Sequence, residues 1–175
     1  MKKTIAILFI LFTAMALVLP ACGGEQDIPR TDDANATPDG NAGSVKEVNI
    51  SDVYNKLIES GFYGQMLPVD DRDMQEIYGI DTGKIKSAAF YMSDNPAVNA
   101  DEIAIFEVSD PEYMDTLYNI LCSRIDAQLR LTETYSVEQH DKLSKTEVKV
   151  VGNYCYYIVN DNYSDLMKIM KESIG

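Results

Sequence analysis

The sequence predicts an α+β domain: a four-stranded antiparallel sheet made of two hairpins, with helices packed on one face and two short helices ahead of it. Three observations predict that architecture. Two strand-like runs, "KIKSAAFYM" and "DEIAIFEV", are separated by the turn-rich "SDNPAVNA". Two more, "TEVKVV" and "YCYYIV", are joined by Gly152-Asn153, a pair suited to the positive backbone angles of a two-residue turn. Each hairpin is followed by a stretch with apolar residues at helical spacing. Packing the two longer helices on one face of four strands is the simplest way to bury every apolar stripe.

The elements follow in order. Ser51 can cap a short helix with Val53, Tyr54, Leu57 and Ile58 on one face, and Gly61 stops it. "DDRDMQEIYG" reads as a second short helix, starting near Asp70 or Asp71 and ending at Gly79. After the first hairpin, Asp110 is a natural N-cap and Pro111 suits the first helical position. Met114, Leu117, Leu121, Ile125 and Gln128/Leu129 then recur at helical spacing. A polar connection containing Tyr135 and His140 leads to the second hairpin. There Val151 should pair with Tyr154, Val150 with Cys155 and Val148 with Tyr157. That register puts Val148, Val150, Cys155, Tyr157 and Val159 on the core face. Glu147, Lys149, Tyr154, Tyr156 and Ile158 fall on the opposite, half-solvated face. A last helix starts near Asn162, with Tyr163, Leu166, Met167 and Met170 on one side.

Ahead of the domain, residues 1–21 have the form of an export signal. Lys2 and Lys3 precede an apolar run from Ile5 to Leu19, shorter than the roughly 20 residues of a spanning helix. Leu19-Pro20-Ala21-Cys22 is similar to a bacterial lipobox, in which the cysteine is lipidated and becomes the new N-terminus. Cys22 is therefore the expected lipid attachment site. Each buried methylene contributes about 0.8 kcal/mol, so two or more acyl chains hold durably where one binds reversibly. Residues 22–47 then comprise the lipidated cysteine and a tether. Few large apolar residues occur in it, so it should be disordered, with a reach of about 25–30 Å. Residues 48–175 suffice for one core but not for a two-lobed solute clamp.

Loss of residues 1–21 lowers 15 basic residues to 13 against 28 acidic ones, so the formal charge of −13 becomes −15. Such a domain repels nucleic acid and anionic head groups. The expected partners are the membrane, through the lipid, and an unidentified protein or small molecule.

Catalytic chemistry has little to work with. The single histidine, His140, lies in "SVEQHDKL" with no nucleophile elbow before it. One histidine and two distant cysteines do not make a zinc site. The acidic runs "VDDRD" and "NDNYSD" do not match a calcium loop and read more simply as helix starts. "YGIDTGKIKS" lacks the spacing of a phosphate loop. The expectation is a non-enzymatic protein with no cofactor and no metal.

With Cys22 lipidated, Cys122 and Cys155 remain as an even pair. The hairpin register puts Cys155 on the core face, and Cys122 sits next to the apolar stripe of the covering helix. A disulfide there would close about 32 residues and stabilise by roughly 3–4 kcal/mol. The alternative is two buried thiols acting as small apolar groups. Tyr154, Tyr156 and Lys149, on the half-solvated face, form the candidate contact surface.

Several of these segments carry a resemblance. "GID" at 79–81, "DEIAIFEV", the long helix, Tyr135 and "VKVVGNYCYYIVND" at 148–161 resemble an uncharacterised bacterial family, the domain of unknown function numbered four-three-five-eight. It is found on lipoproteins of clostridial-type Gram-positive bacteria. The resemblance covers roughly residues 48–173, with "GNY" its most specific piece. It implies a tethered extracytoplasmic module and no particular activity. A proline commonly stands where this chain has Val137, which implies a less rigid loop here. Aliphatic residues around position 155 in the family favour thiols over a disulfide. The leading expectation is a non-enzymatic binding module at the outer face of the membrane. A scaffold for envelope assembly or secretion is the runner-up, and a cell-wall hydrolase comes third.

Overall fold

The computed structural model describes residues 47–175. The expected signal peptide, Cys22 and almost all of the tether lie outside the described residues. Five strands are present: β1 (Met66–Pro68), β2 (Ile85–Ser93), β3 (Glu102–Val108), β4 (Lys149–Val151) and β5 (Tyr154–Val159). They form one sheet in the order β1-β2-β3-β5-β4, and every pairing is antiparallel. Five helices surround it: α1 (Ile50–Glu59), α2 (Asp71–Glu76), α3 (Met114–Tyr135), α4 (Val137–Leu143) and α5 (Tyr163–Ile174). The class is α+β, with one strand more than expected. β1 is that strand: three residues ending in Pro68, too short for a periodic signal and placed at an edge, where proline is tolerated.

The helices lie on both faces of the sheet, not on one. Both β3 and β5 are buried along their whole length. On the first face, Phe90, Ala104, Phe106, Cys155, Tyr157 and Val159 pack against Leu117, Leu121 and Ile125 of α3 and Leu143 of α4. On the second, Ala89, Ile103, Ile105, Tyr154, Tyr156 and Ile158 pack against Val53 and Leu57 of α1 and Leu166 and Met170 of α5. The physical reason is visible in the strands. "IAIF" and "YCYYIV" are near-continuous apolar runs, the pattern of strands covered on both sides, rather than strict alternation.

The second hairpin has the expected register: Val150 opposes Cys155 and Val151 opposes Tyr154. Its turn uses one positive backbone angle, at Gly152 (φ 57°), while Asn153 keeps a negative φ. Glycine at the first central position is one of the two favoured hairpin solutions.

Helix starts follow capping chemistry. Asn49 rather than Ser51 caps α1, accepting from the Ser51 N–H at 3.0 Å. Asp70 caps α2 through the Asp73 N–H at 2.8 Å. Asp110 caps a 3-10 turn, Pro111–Tyr113, that leads into α3. Ser136 caps α4, a helix absent from the sequence expectation, and Val137 is its first residue rather than part of a loop.

α4 escaped the periodicity reading because its inner face is largely polar. Gln139 Oε1 accepts the Ala100 N–H at 2.7 Å, and Lys142 Nζ reaches Asp101 at 2.8 Å and Asp161 at 3.2 Å. Leu143 is the one large apolar side chain that it buries fully. Partnered polar groups here take the place of an apolar stripe, and the partners offset the desolvation penalty of burying them.

Candidate functional site: a groove beside helix α3

A groove of about 600 Å³ runs between α3 and the segment after α2. Two local features form its first wall. Gly79 takes φ 70°, which lets the chain turn back so that Ile80 N–H donates to Met74 O at 2.9 Å. The Asp81 N–H then donates to the Tyr113 hydroxyl at 2.8 Å, fastening this segment to the start of α3. Ile77 and Tyr78 are thereby held over the groove, and Ile77 remains 67% exposed. The second wall is a stripe of α3: Thr116, Asn119, Ile120, Ser123 and Ala127, at helical spacing.

Arg124 is the charged residue in this lining. Its Nε donates to Glu102 Oε1 at 2.6 Å and its Nη2 to Oε2, a two-pronged pairing. Glu102, at the start of β3, is only 2% exposed. It also accepts from the Tyr157 hydroxyl and from Gln128 Nε2 at 3.2 Å. The guanidinium carbon lies 4.6 Å from the Tyr78 ring centroid and 5.8 Å from that of Phe90. Burial on its own would lower the Arg124 pKa, but the Glu102 hydrogen bonds and charge hold it above the ordinary arginine value. Burial, and then the Glu102 charge, raise Tyr157 well above the ordinary phenol value, so its proton stays on the hydrogen bond. The result is a charge-balanced arginine, held from behind by buried partners, in the lining of a mainly apolar groove.

The expected contact surface is not assembled. Tyr154 and Tyr156 are each 4% exposed, covered by α1 and α5, and the Tyr154 hydroxyl accepts the Val48 N–H at 3.3 Å. The correction has the same cause as the second helical layer: the face assigned to solvent is a core. Lys149 stays half-exposed on the edge strand β4, where its Nζ pairs with Glu147.

Cys122 is half-buried on α3, Cys155 is buried on β5, and both are free thiols. Burial, followed by the neighbouring Cys122, pushes Cys155 up to about 12; burial also raises Cys122. Protonated thiols of this kind are poor nucleophiles. His140 sits on α4 with Nδ1 3.2 Å from the Leu129 carbonyl oxygen, an arrangement that suits the Nδ1–H tautomer. In the two acidic runs, Asp70 is a helix cap and Asn160 Oδ1 accepts the Asn162 N–H at 2.8 Å ahead of α5.

Sequence reasoning missed Glu102 and Arg124. The available signal was an acid opening β3, together with Arg124 and Gln128 one turn apart on the helix that follows.

Comparison with known proteins identifies a family. Residues 59–160 fit a family described as a domain of unknown function, DUF4358. No curated protein and no solved structure matches the chain. The matched span takes in all five strands, α2 to α4, and both sides of the groove. It covers more than half of the sequence, and the chain belongs to the DUF4358 family.

Proposed function

We propose that this protein is a lipid-anchored, extracytoplasmic module that binds a small ligand in the Arg124 groove without transforming it. The groove carries the reading. Its volume falls in the range of about 300–1,000 Å³ usual for ligand sites, and its lining is mainly apolar with a few fixed polar groups. The anchor part rests on the sequence around Cys22. No helix among the described residues is long and apolar enough to cross a membrane. The non-catalytic part is supported by the groove's own chemistry: the Arg124 charge is balanced by Glu102, and the remaining lining offers no histidine, cysteine or carboxylate.

The test uses the mature chain from Cys22, with Cys22→Ser to keep it free of lipid. Titration with the uncharged fluorophore N-phenyl-1-naphthylamine should show saturable enhancement, abolished by Ala127→Trp, which fills the groove from α3. Enhancement equal in both proteins, or none in either, overturns the assignment. Mass spectrometry of the native protein should show a diacylglyceryl-modified Cys22 at the N-terminus. An unmodified Cys22 overturns the anchor.

A further inference from the structure

We infer that the groove selects an uncharged amphiphile: an apolar body bearing one carbonyl acceptor, as in an amide or ester. This rests on the groove being the binding site and adds what it binds. Arg124 has five N–H donors, and Glu102 takes one from Nε and one from Nη2. The Tyr157 hydroxyl also lies within hydrogen-bonding reach of the guanidinium, which still leaves two of its five N–H groups without a protein acceptor. Arg124 itself lines the cavity, where these remaining donors can meet a ligand.

Charge then decides what kind of acceptor fits. The Arg124 charge is already balanced by Glu102, a carboxylate that is itself buried. A second carboxylate drawn to the same guanidinium would meet Glu102 across it in a poorly screened setting, and like charges sharing a site are disfavoured. The acidic excess of the whole chain opposes an anion further. A cation would find only N–H donors on Arg124 and no acceptor to hold it. A neutral carbonyl oxygen accepts the N–H bonds without either cost. Ile77, Ile80 and Ile120 supply apolar contact, the Tyr78 ring supplies a flat one, and Asn119 and Ser123 are polar neighbours on the helical wall.

The test compares two probes of one shape, 2-naphthamide and 2-naphthoate, titrated at pH 7 into the Cys22→Ser mature chain and followed by backbone amide NMR. The amide should bind at least tenfold more tightly than the carboxylate. Its shifts should fall on α3 between Thr116 and Ala127 and on Ile77–Ile80. In Glu102→Gln, which leaves the guanidinium charge unbalanced, the preference should move toward the carboxylate by tenfold or more. Carboxylate binding as tight as the amide in the unaltered groove overturns the inference and leaves the groove standing as a site. If neither probe binds, or shifts map elsewhere, the groove reading fails and the inference with it. The comparison in the unaltered groove decides the matter even if Glu102→Gln does not fold.

Discussion

Glu102, the first residue of β3, accepts two hydrogen bonds from the guanidinium of Arg124, at mid-length in α3. This pairing ties the central strand to the longest helix and holds Arg124 in the lining of the groove. Glu102 is also bonded by Tyr157 from β5, so one carboxylate joins three elements.

Arg124→Met should therefore destabilise sharply, because it leaves a buried carboxylate without its cation. Breaking a buried pair from one side costs about 3–5 kcal/mol, whereas replacing both charges is much milder. Urea unfolding should show that loss for Arg124→Met and a recovery of at least half of it in Arg124→Met/Glu102→Gln. A single-mutant loss below about 1 kcal/mol would show that the pair is not sequestered as described.

Tyr156 and Lys149 provide a contrast on paired strands, since they oppose each other in the β4–β5 register. Tyr156→Ala removes a ring packed under α1 and α5 and should cost about 3–5 kcal/mol, as large aromatic truncations in cores do. Lys149→Glu alters a half-exposed edge residue and should cost less than about 1 kcal/mol. Thermal melts of the two variants would reveal an error if their order were reversed.

How much of this was legible in the sequence depended on the kind of signal. The β4–β5 register was readable because Gly152 fixes a two-residue turn and every partner follows from it. The second core was not, because Tyr154 and Tyr156 carry polar tips and sit opposite Lys149 and Val151, so their face looked half wet. Covering that face takes α1 and α5 from the two ends of the domain, a pairing no local pattern announces. α4 was hidden because Gln139 and Lys142 face inward and are satisfied by Ala100 and Asp101, about 40 positions away in sequence. The groove required Ile77–Ile80 and α3 to meet, and the fastening bond, Asp81 to Tyr113, spans 32 positions.

Cys155 makes stability depend on pH at the alkaline end. Its thiol rises from an ordinary 9.0 to about 12 in the folded protein. Between those values the unfolded chain has lost this proton and the folded chain keeps it, so alkali favours unfolding. The contribution is intact below pH 9 and falls away as pH climbs toward 12, by up to about 1.4 kcal/mol per pH unit. Other raised groups, Tyr157 among them, add losses of the same sign. The comparison is therefore with Cys155→Ala, whose unfolding free energy should fall less steeply between pH 9 and 11. Parallel curves would contradict the assignment.

Val137 occupies the first position of α4, preceded by Ser136 in an extended conformation (φ −158°, ψ 101°). Both features suit a proline at 137: the first helical N–H has no partner within the helix, and an extended residue tolerates a following proline. Val137→Pro should stabilise by about 0.4–1 kcal/mol, chiefly by restricting the unfolded chain. A raised denaturation midpoint with an unchanged dependence on denaturant would agree. A lowered midpoint would show that the helix does not begin there.

The proposed ligand site is the space between α3 and Ile77–Ile80. Its most direct test is a crystal structure of the Cys22→Ser mature chain grown with 2-naphthamide. Density for the probe should lie against Tyr78, Ile120 and Arg124, with the Arg124–Glu102 pairing intact. Density confined to another surface, or a groove closed by Ile77 and Tyr78 with the probe bound elsewhere, would contradict it.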